Sequence, residues 1–185
     1  MRAVIFSTLV LAAFAGQIAL GPYEDIIVSW TVSGANATFT MTCKPQNVTK
    51  PPQISWCAFG VNTPGTGTGM APANVFWLGI DNVTGAVHPV EDRIITVTAE
   101  PPCAATQLTS TTAASYTGGV LSATFTRPLV APPALVAQGY VSFVNAPMAV
   151  VAAIGGGARS AGSCIKGTAE HYSSFHNIWL NFLGA

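Results

Sequence analysis

Apolar and polar residues alternate in several short segments, a period typical of β-strands with one buried face. The clearest alternation covers residues 37–43, where three threonines separate the apolar side chains, and weaker ones cover 93–98 and 120–126. Short apolar runs predict more deeply buried strands at 26–32, 54–61, 75–80, 140–144, 150–154 and 178–182. No longer segment carries a helical stripe. The chain is therefore predicted to be all-β, an antiparallel immunoglobulin-like β-sandwich of about nine to ten strands.

Turn and loop signals separate these runs. Residues 62–69 are rich in Gly, Thr and Pro, residues 81–85 read as a hairpin turn, and Pro101-Pro102 ends a strand. No linker, repeat or break in composition divides the chain after its first residues. We therefore expect one domain over residues 22–185.

The charge content limits the classes of partner. Half of the 185 residues are hydrophobic and only 8% are charged, with seven Lys and Arg against seven Asp and Glu. A solvated disordered chain would need more charge, and a nucleic-acid binder would need a basic face. We expect no nucleic-acid partner.

The N-terminus has the pattern of an export signal. Arg2 is followed by a mostly apolar run over 3–15, and the run ends in the small-x-small pattern Ala13-Phe14-Ala15. The predicted signal peptide is 1–16, cut after Ala15 or Gly16, with Gly21 as a later alternative. The run is too short to span a membrane comfortably, and no second one follows. We expect a secreted, extracellular protein without a transmembrane segment in the mature chain.

Two further features agree with export. Asn-x-Thr sequons, the acceptors for N-glycosylation, begin at Asn36, Asn47 and Asn82. Four widely spaced cysteines without a C-x-x-C motif predict two disulfides, in any of three pairings, among Cys43, Cys57, Cys103 and Cys164.

Patterns that would indicate an enzyme are missing from the sequence. There is no G-x-S-x-G nucleophile elbow. The acid pairs Glu24-Asp25 and Glu91-Asp92 are adjacent, so their side chains diverge on a strand and do not face one glycosidic bond. We therefore assign no catalytic residues and expect a protein that is not an enzyme.

Met70 lies in a sequence setting that is unusual for a methionine of a hydrophobic core. It follows the Gly/Thr loop 65–69, and a thioether in such a loop is a candidate soft ligand for haem iron. Far along the chain, His171 and His176 offer imidazoles. One Met with one His is an axial pair that raises the reduction potential of a haem.

Several motifs, taken in order, are similar to one known family. They are residues 56–61 ending in Gly-Val, Gly69-Met70 with 73–78, the strand–turn–strand course 81–93 into Asp-Arg, 124–129 with its Arg-Pro-Leu, and 152–155 followed by His171. In this order they resemble the DOMON family, and within it the secreted b-type haem cytochrome domains, as in cellobiose dehydrogenase. The resemblance covers about residues 26–183. Asn74 stands where the family usually has Asp.

The resemblance implies a β-sandwich that binds haem b with Met70 and a histidine. His171 is the preferred ligand because it is expected in a loop before the last strand, and His176 is the alternative. Trp77 and Tyr172 are candidates for an apolar wall of the haem pocket. Arg127 is expected to stack on core aromatics or to form a salt bridge with Asp92, and the alternative is that it binds a haem propionate.

The function that follows from the resemblance is one-electron transfer. The partner would be a separate redox protein or extracellular oxidoreductase. The alternative is a carbohydrate-binding module, in which Trp77 or Trp179 would stack on sugar rings, or a ligand-free structural module.

Overall fold

Ten β-strands and one short helix make up the described part of the chain. The computed structural model describes residues 14–21, 25–44, 55–63, 69–81, 84–96, 104–156 and 170–184, with the backbone alone for 170–173 and 177. The elements are β1 Phe14–Leu20, β2 Ile26–Ser33, β3 Asn36–Cys43, β4 Trp56–Asn62, β5 Ala73–Gly79, β6 Glu91–Ile95, β7 Ser110–Thr117, β8 Val120–Pro128, α1 Pro133–Val136, β9 Met148–Gly156 and β10 Glu170–Leu180.

The strands form two antiparallel sheets. Sheet 1 has the order β1-β2-β3-β8-β7, and sheet 2 has the order β10-β9-β4-β5-β6. The predicted all-β antiparallel sandwich of nine to ten strands is confirmed. Within the described residues, no helix is long and apolar enough to cross a membrane.

Aromatic side chains fill the interior between the sheets. Along β3, buried residues alternate with partly exposed threonines, as the sequence period predicts. Phe39 lies at the centre, 5.4–6.2 Å between ring centroids from five other phenylalanine rings. Such ring pairs add about 0.5–1.5 kcal/mol each beyond the area that they bury.

Three strands of sheet 2 are buried on both faces. Every residue of β4, β5 and β9 is buried, which explains why these strands are continuous apolar runs in the sequence. Cys57, Phe59 and Phe76 face the interior with the rest of the core. The alternate positions, which include Ala58 and Val75, form two clusters on what we call the outer face of sheet 2.

One disulfide joins the two sheets. Cys43, the last residue of β3, is bonded to Cys57 in β4. Of the three pairings that the sequence left open, this bond retains only the one in which Cys103 pairs with Cys164. Both of those cysteines lie outside the described residues.

Two strands of sheet 1 were not expected from the sequence. β7 is an edge strand of Ser, Thr, Ala and one Tyr, and most of its side chains are exposed, so it lacks an apolar run. β1 is the opposite edge strand and begins at Phe14, inside the predicted signal peptide. Its Leu20 is buried, and Ile18 packs against the core. A cut after Gly16 would leave residues 17–20 paired with β2, whereas a cut after Gly21 would remove β1. Residues 1–13 lie outside the described part.

The strand expected at residues 140–144 was a wrong prediction. Tyr140, Val141 and Phe143 are buried, as their apolar character suggests, but they form no strand ladder. The Phe143 amide donates to the carbonyl of Leu129, which directly follows β8. This segment is therefore held there by an isolated hydrogen bond and not by a strand ladder. The apolar run at 140–144 therefore reflects the burial of this segment and not the formation of a strand.

Candidate functional site

Met70 lies in the connection between β4 and β5, on the outer side of sheet 2. It is partly buried and packs with Ala71 against an apolar group that we call the outer cluster, which consists of Ala73, Val75, Ile95 and Val151. The Asn62 side chain fixes the connection on both sides of Met70, because its Nδ2 donates to the carbonyls of Gly69 at 2.6 Å and Pro72 at 3.2 Å.

The last strand is longer than expected, and this changes the setting of both late histidines. β10 begins at Glu170, so His171 is a strand residue opposite Gly155 and does not lie in a loop. The argument that preferred His171 as a loop ligand was therefore wrong. The side chains of His171 and its neighbour Tyr172 are outside the described part of the structure.

His176 lies in a β-bulge of β10. Phe175 pairs with Ala152 and Ile178 pairs with Val150, so His176 and the next residue together face one residue of β9, Val151. The His176 side chain is exposed. A bulge of this kind re-aims side chains and interrupts the simple two-residue alternation of a strand.

The register of sheet 2 places His176 at the level of the outer cluster. Val151 pairs with Gly60, which pairs with Val75, and both valines belong to that cluster. The backbone of His171 is opposite Gly155, four residues further along β9, or about 13 Å at the rise of a strand. The structure therefore brings His176, and not His171, to the level of the surface on which Met70 packs.

Trp77 lies on the same outer face and is buried by its neighbours. Its ring stacks on Trp56 at 4.1 Å between centroids, and the guanidinium carbon of Arg93 lies 4.4 Å from the Trp77 centroid. Arg93 is itself paired with Glu91 at 2.9 Å. Only 4% of Trp77 is exposed, so it offers no platform for a sugar ring.

Arg127 lies on the other side of sheet 2, in the interior. Its Nη2 donates to the Asn74 side chain at 2.7 Å and to the carbonyl of Val141 at 2.8 Å, and its guanidinium lies 5.2 Å from the rings of Phe76 and Phe143. Nε is 3.8 Å from an oxygen of Asp92. The structure does not bring Arg127 together with Met70, and the stacking and pairing expected of it are both present.

Burial dominates the electrostatics of this interior network. It lowers the pKa of Arg127 to about 10, against which the charge of Asp92 acts in the opposite direction. It also raises the pKa of Tyr140, whose hydroxyl donates to the carbonyl of Thr106.

Asn74 is suited to this network in a way that an aspartate would not be. Its Oδ1 accepts from Arg127, while its Nδ2 donates to Asp92 at 3.3 Å. A carboxylate at position 74 would place two like charges side by side in a buried setting. An asparagine at position 74 therefore suits this network better than an aspartate would.

The remaining predicted site residues are placed as follows. Asn36 is exposed at the start of β3, whereas Asn47 and Asn82 lie outside the described residues. Within the described ranges, no three His, Cys, Asp or Glu side chains are grouped to hold a metal ion.

The chain matches no protein-family model and no curated protein.

Met70 and His176 are a donor pair that fits haem iron, because thioether sulfur and imidazole nitrogen are both established axial ligands. Met70 packs against the buried apolar side chains of the outer cluster.

Proposed function

We propose that this protein is a secreted b-type haem carrier that transfers single electrons, with Met70 and His176 as the ligands of the iron. The observation that carries the proposal is that both residues lie at the level of the outer cluster. Met70 packs against that cluster, and His176 lies opposite Val151, one of its members. This proposal keeps the Met–His pair that the DOMON resemblance implies and replaces His171 by the alternative histidine.

The bound haem supplies reversible one-electron exchange, and the chain sets the conditions for it. The thioether of Met70 favours a higher reduction potential than a second imidazole would. The buried side chains of Ala73, Val75 and Val151 belong to the cluster against which Met70 packs, and they exclude water from that side of the ligand. We propose a separate redox protein or an extracellular oxidoreductase as the electron partner.

Secretion is part of the same proposal. The Cys43–Cys57 bond is compatible with an oxidising compartment, where structural disulfides persist. Apolar residues 3–15 after Arg2 provide the export signal. N-terminal sequencing of the secreted protein tests this part independently of haem.

Haem titration of four purified proteins tests the ligand assignment. We expect His176→Ala to abolish or severely weaken haem binding, and Met70→Leu to bind haem with a five-coordinate spectrum and a lower potential. His171→Ala is the matched control, and we expect it to behave as the wild type. If His171→Ala loses haem while His176→Ala binds it normally, the assignment from the register is refuted but a Met–His haem site survives.

A binding module is the second candidate function, and one observation favours it. Trp179 is 54% exposed on β10, in contrast to the buried Trp77. Protein that stays colourless after titration with haem, but is retained on a polysaccharide, would favour this candidate over electron transfer.

A further inference from the structure

Trp179 is an exposed aromatic ring on a well-anchored strand. Its neighbours Ile178 and Leu180 both pack against the interior core, and Trp179 itself pairs with Ala149 on β9. The alternation of a strand therefore turns the indole away from the core. Because 54% of this residue is exposed, a broad part of its surface is available to a ligand.

A pair of asparagines lies beside this ring. Asn181 follows Trp179 by two residues, just beyond the end of β10. Because Phe182 returns to the core as Leu180 does, Asn181 lies on the same side of the chain as Trp179, about 7 Å further along it. The Asn181 Nδ2 donates to the Oδ1 of Asn145 at 3.0 Å. Asn181 Oδ1 accepts from the backbone amides of Leu183 at 3.1 Å and Gly184 at 3.0 Å.

The amide pair is held in one orientation. Three hydrogen bonds determine the orientation of the Asn181 amide. Because Asn181 Nδ2 donates to Asn145, the atom of the Asn145 amide that faces it must be the oxygen. Gly184 closes the arrangement from the other side, because an added Cβ there would collide with the Asn181 side chain. The Nδ2 of the exposed Asn145 then remains as a donor for a ligand, since its oxygen is already used.

The two chain segments that form this pair contain no charged side chain of Asp, Glu, Lys or Arg. These segments are residues 128–158 and 171–185, which supply every group named above. A charged ligand would find no partner among these residues. An uncharged ligand with an apolar face and hydroxyl groups at its edge matches an indole ring beside an amide donor.

From this arrangement we infer a saccharide-binding subsite made of Trp179, Asn145 and Asn181. The apolar face of a pyranose ring stacks on the indole, and a ring hydroxyl accepts a hydrogen bond from Asn145 Nδ2. A protein partner fits less well, because a stable interface buries about 800 Å² on each side, with several aromatic anchors. Among the described side chains of residues 137–184, Val144 at 39% is the one large apolar residue besides Trp179 that is exposed.

Retention on insoluble polysaccharides tests the inference with the full secreted protein. The probes are microcrystalline cellulose, chitin and β-1,3-glucan, each offered separately with bovine serum albumin as a non-binding reference. We expect retention on at least one of them, lost tenfold or more in Trp179→Ala and largely kept in Trp179→Tyr. Asn145→Ala, and Gly184→Ala through the displaced amide pair, are expected to weaken binding several-fold.

Val136→Ala is the matched control, because Val136 is 47% exposed on α1 and takes no part in the subsite. Lack of retention on all three polysaccharides overturns the inference, as does unchanged retention of Trp179→Ala. A dimer in light scattering that Trp179→Ala dissociates would show instead that a second copy covers the ring. The haem spectrum, which Trp179→Ala should leave unaltered, separates failure of this subsite from failure of the proposed electron carrier.

Discussion

The buried network around Asp92 predicts a large and specific stability loss when its carboxylate is removed. Asp92 is fully buried, and its Oδ2 accepts the backbone amides of Leu108 and Thr109, both at 2.8 Å. Its Oδ1 accepts from Asn74 and faces Arg127. The carboxylate therefore links β6 in sheet 2 to β8 in sheet 1 and to the segment before β7. Asp92→Ala removes all of these contacts at once.

The expected loss follows from the groups left behind. Removal of one partner from a buried ion pair costs about 3–5 kcal/mol, because the remaining charge is uncompensated. The stranded amides of Leu108 and Thr109 act in the same direction, at about 1–3 kcal/mol each when unsatisfied, although such terms do not add fully. Since domains of this kind have about 5–15 kcal/mol of stability in all, we expect Asp92→Ala to be close to unfolding. Asp92→Asn, which keeps an acceptor, provides a milder variant.

Urea unfolding at pH 7 in a double-mutant cycle is the assay. Arg127→Met removes the buried charge, so the double variant Asp92→Asn with Arg127→Met should lose at least about 1 kcal/mol less than the sum of the two single losses. The slope of the free energy against urea should stay constant if the folded states remain alike. Additivity within about 0.5 kcal/mol, or a loss of less than 1 kcal/mol for Asp92→Ala, would refute the reasoning.

Three further changes have defined outcomes. Gly60→Ala should destabilise by about 1–3 kcal/mol in urea unfolding, because the new methyl would meet the backbone and side chain of facing β5 residues at about 2.5 Å, and native-like stability would contradict the packing. Replacing Cys43 and Cys57 by serine should cost about 3 kcal/mol, and a loss under 1 kcal/mol would show that the bond adds little constraint. The pKa of Tyr140 is raised in the folded state, so its stabilising contribution is present below about pH 10 and declines as pH rises through the folded pKa. The stability difference between wild type and Tyr140→Phe, about 1 kcal/mol at pH 7 for the lost hydrogen bond, should therefore shrink above pH 10; a difference independent of pH would oppose this.

The sequence predicted the fold class because the strands that fill the interior have distinctive patterns. The alternation in β3 and the continuous apolar run of β9 both indicate burial, on one face and on two faces respectively. β7 gave no such signal, because backbone pairing with β8 holds this strand in place and its Ser, Thr and Ala side chains are mostly exposed. The segment 140–144 gave a false one, since it is buried without forming a ladder.

The residues of the candidate site could be predicted from the sequence only in part. Met70 was identified from its loop setting, but the preference between His171 and His176 depended on where the last strand begins. A bulge such as the one at His176 arises from a mismatch of one residue between two strands that are distant in sequence, so no local pattern predicts it. The amide pair of Asn145 and Asn181 is likewise formed by residues 36 positions apart.

A reduced-minus-oxidised absorption spectrum of the secreted protein, supplied with haem, tests the central claim most directly. The proposed ligation by Met70 and His176 predicts a Soret band that shifts on reduction with dithionite, together with sharp α and β bands of a six-coordinate low-spin iron. A protein that binds no haem under these conditions, while it remains folded by circular dichroism, would contradict the account.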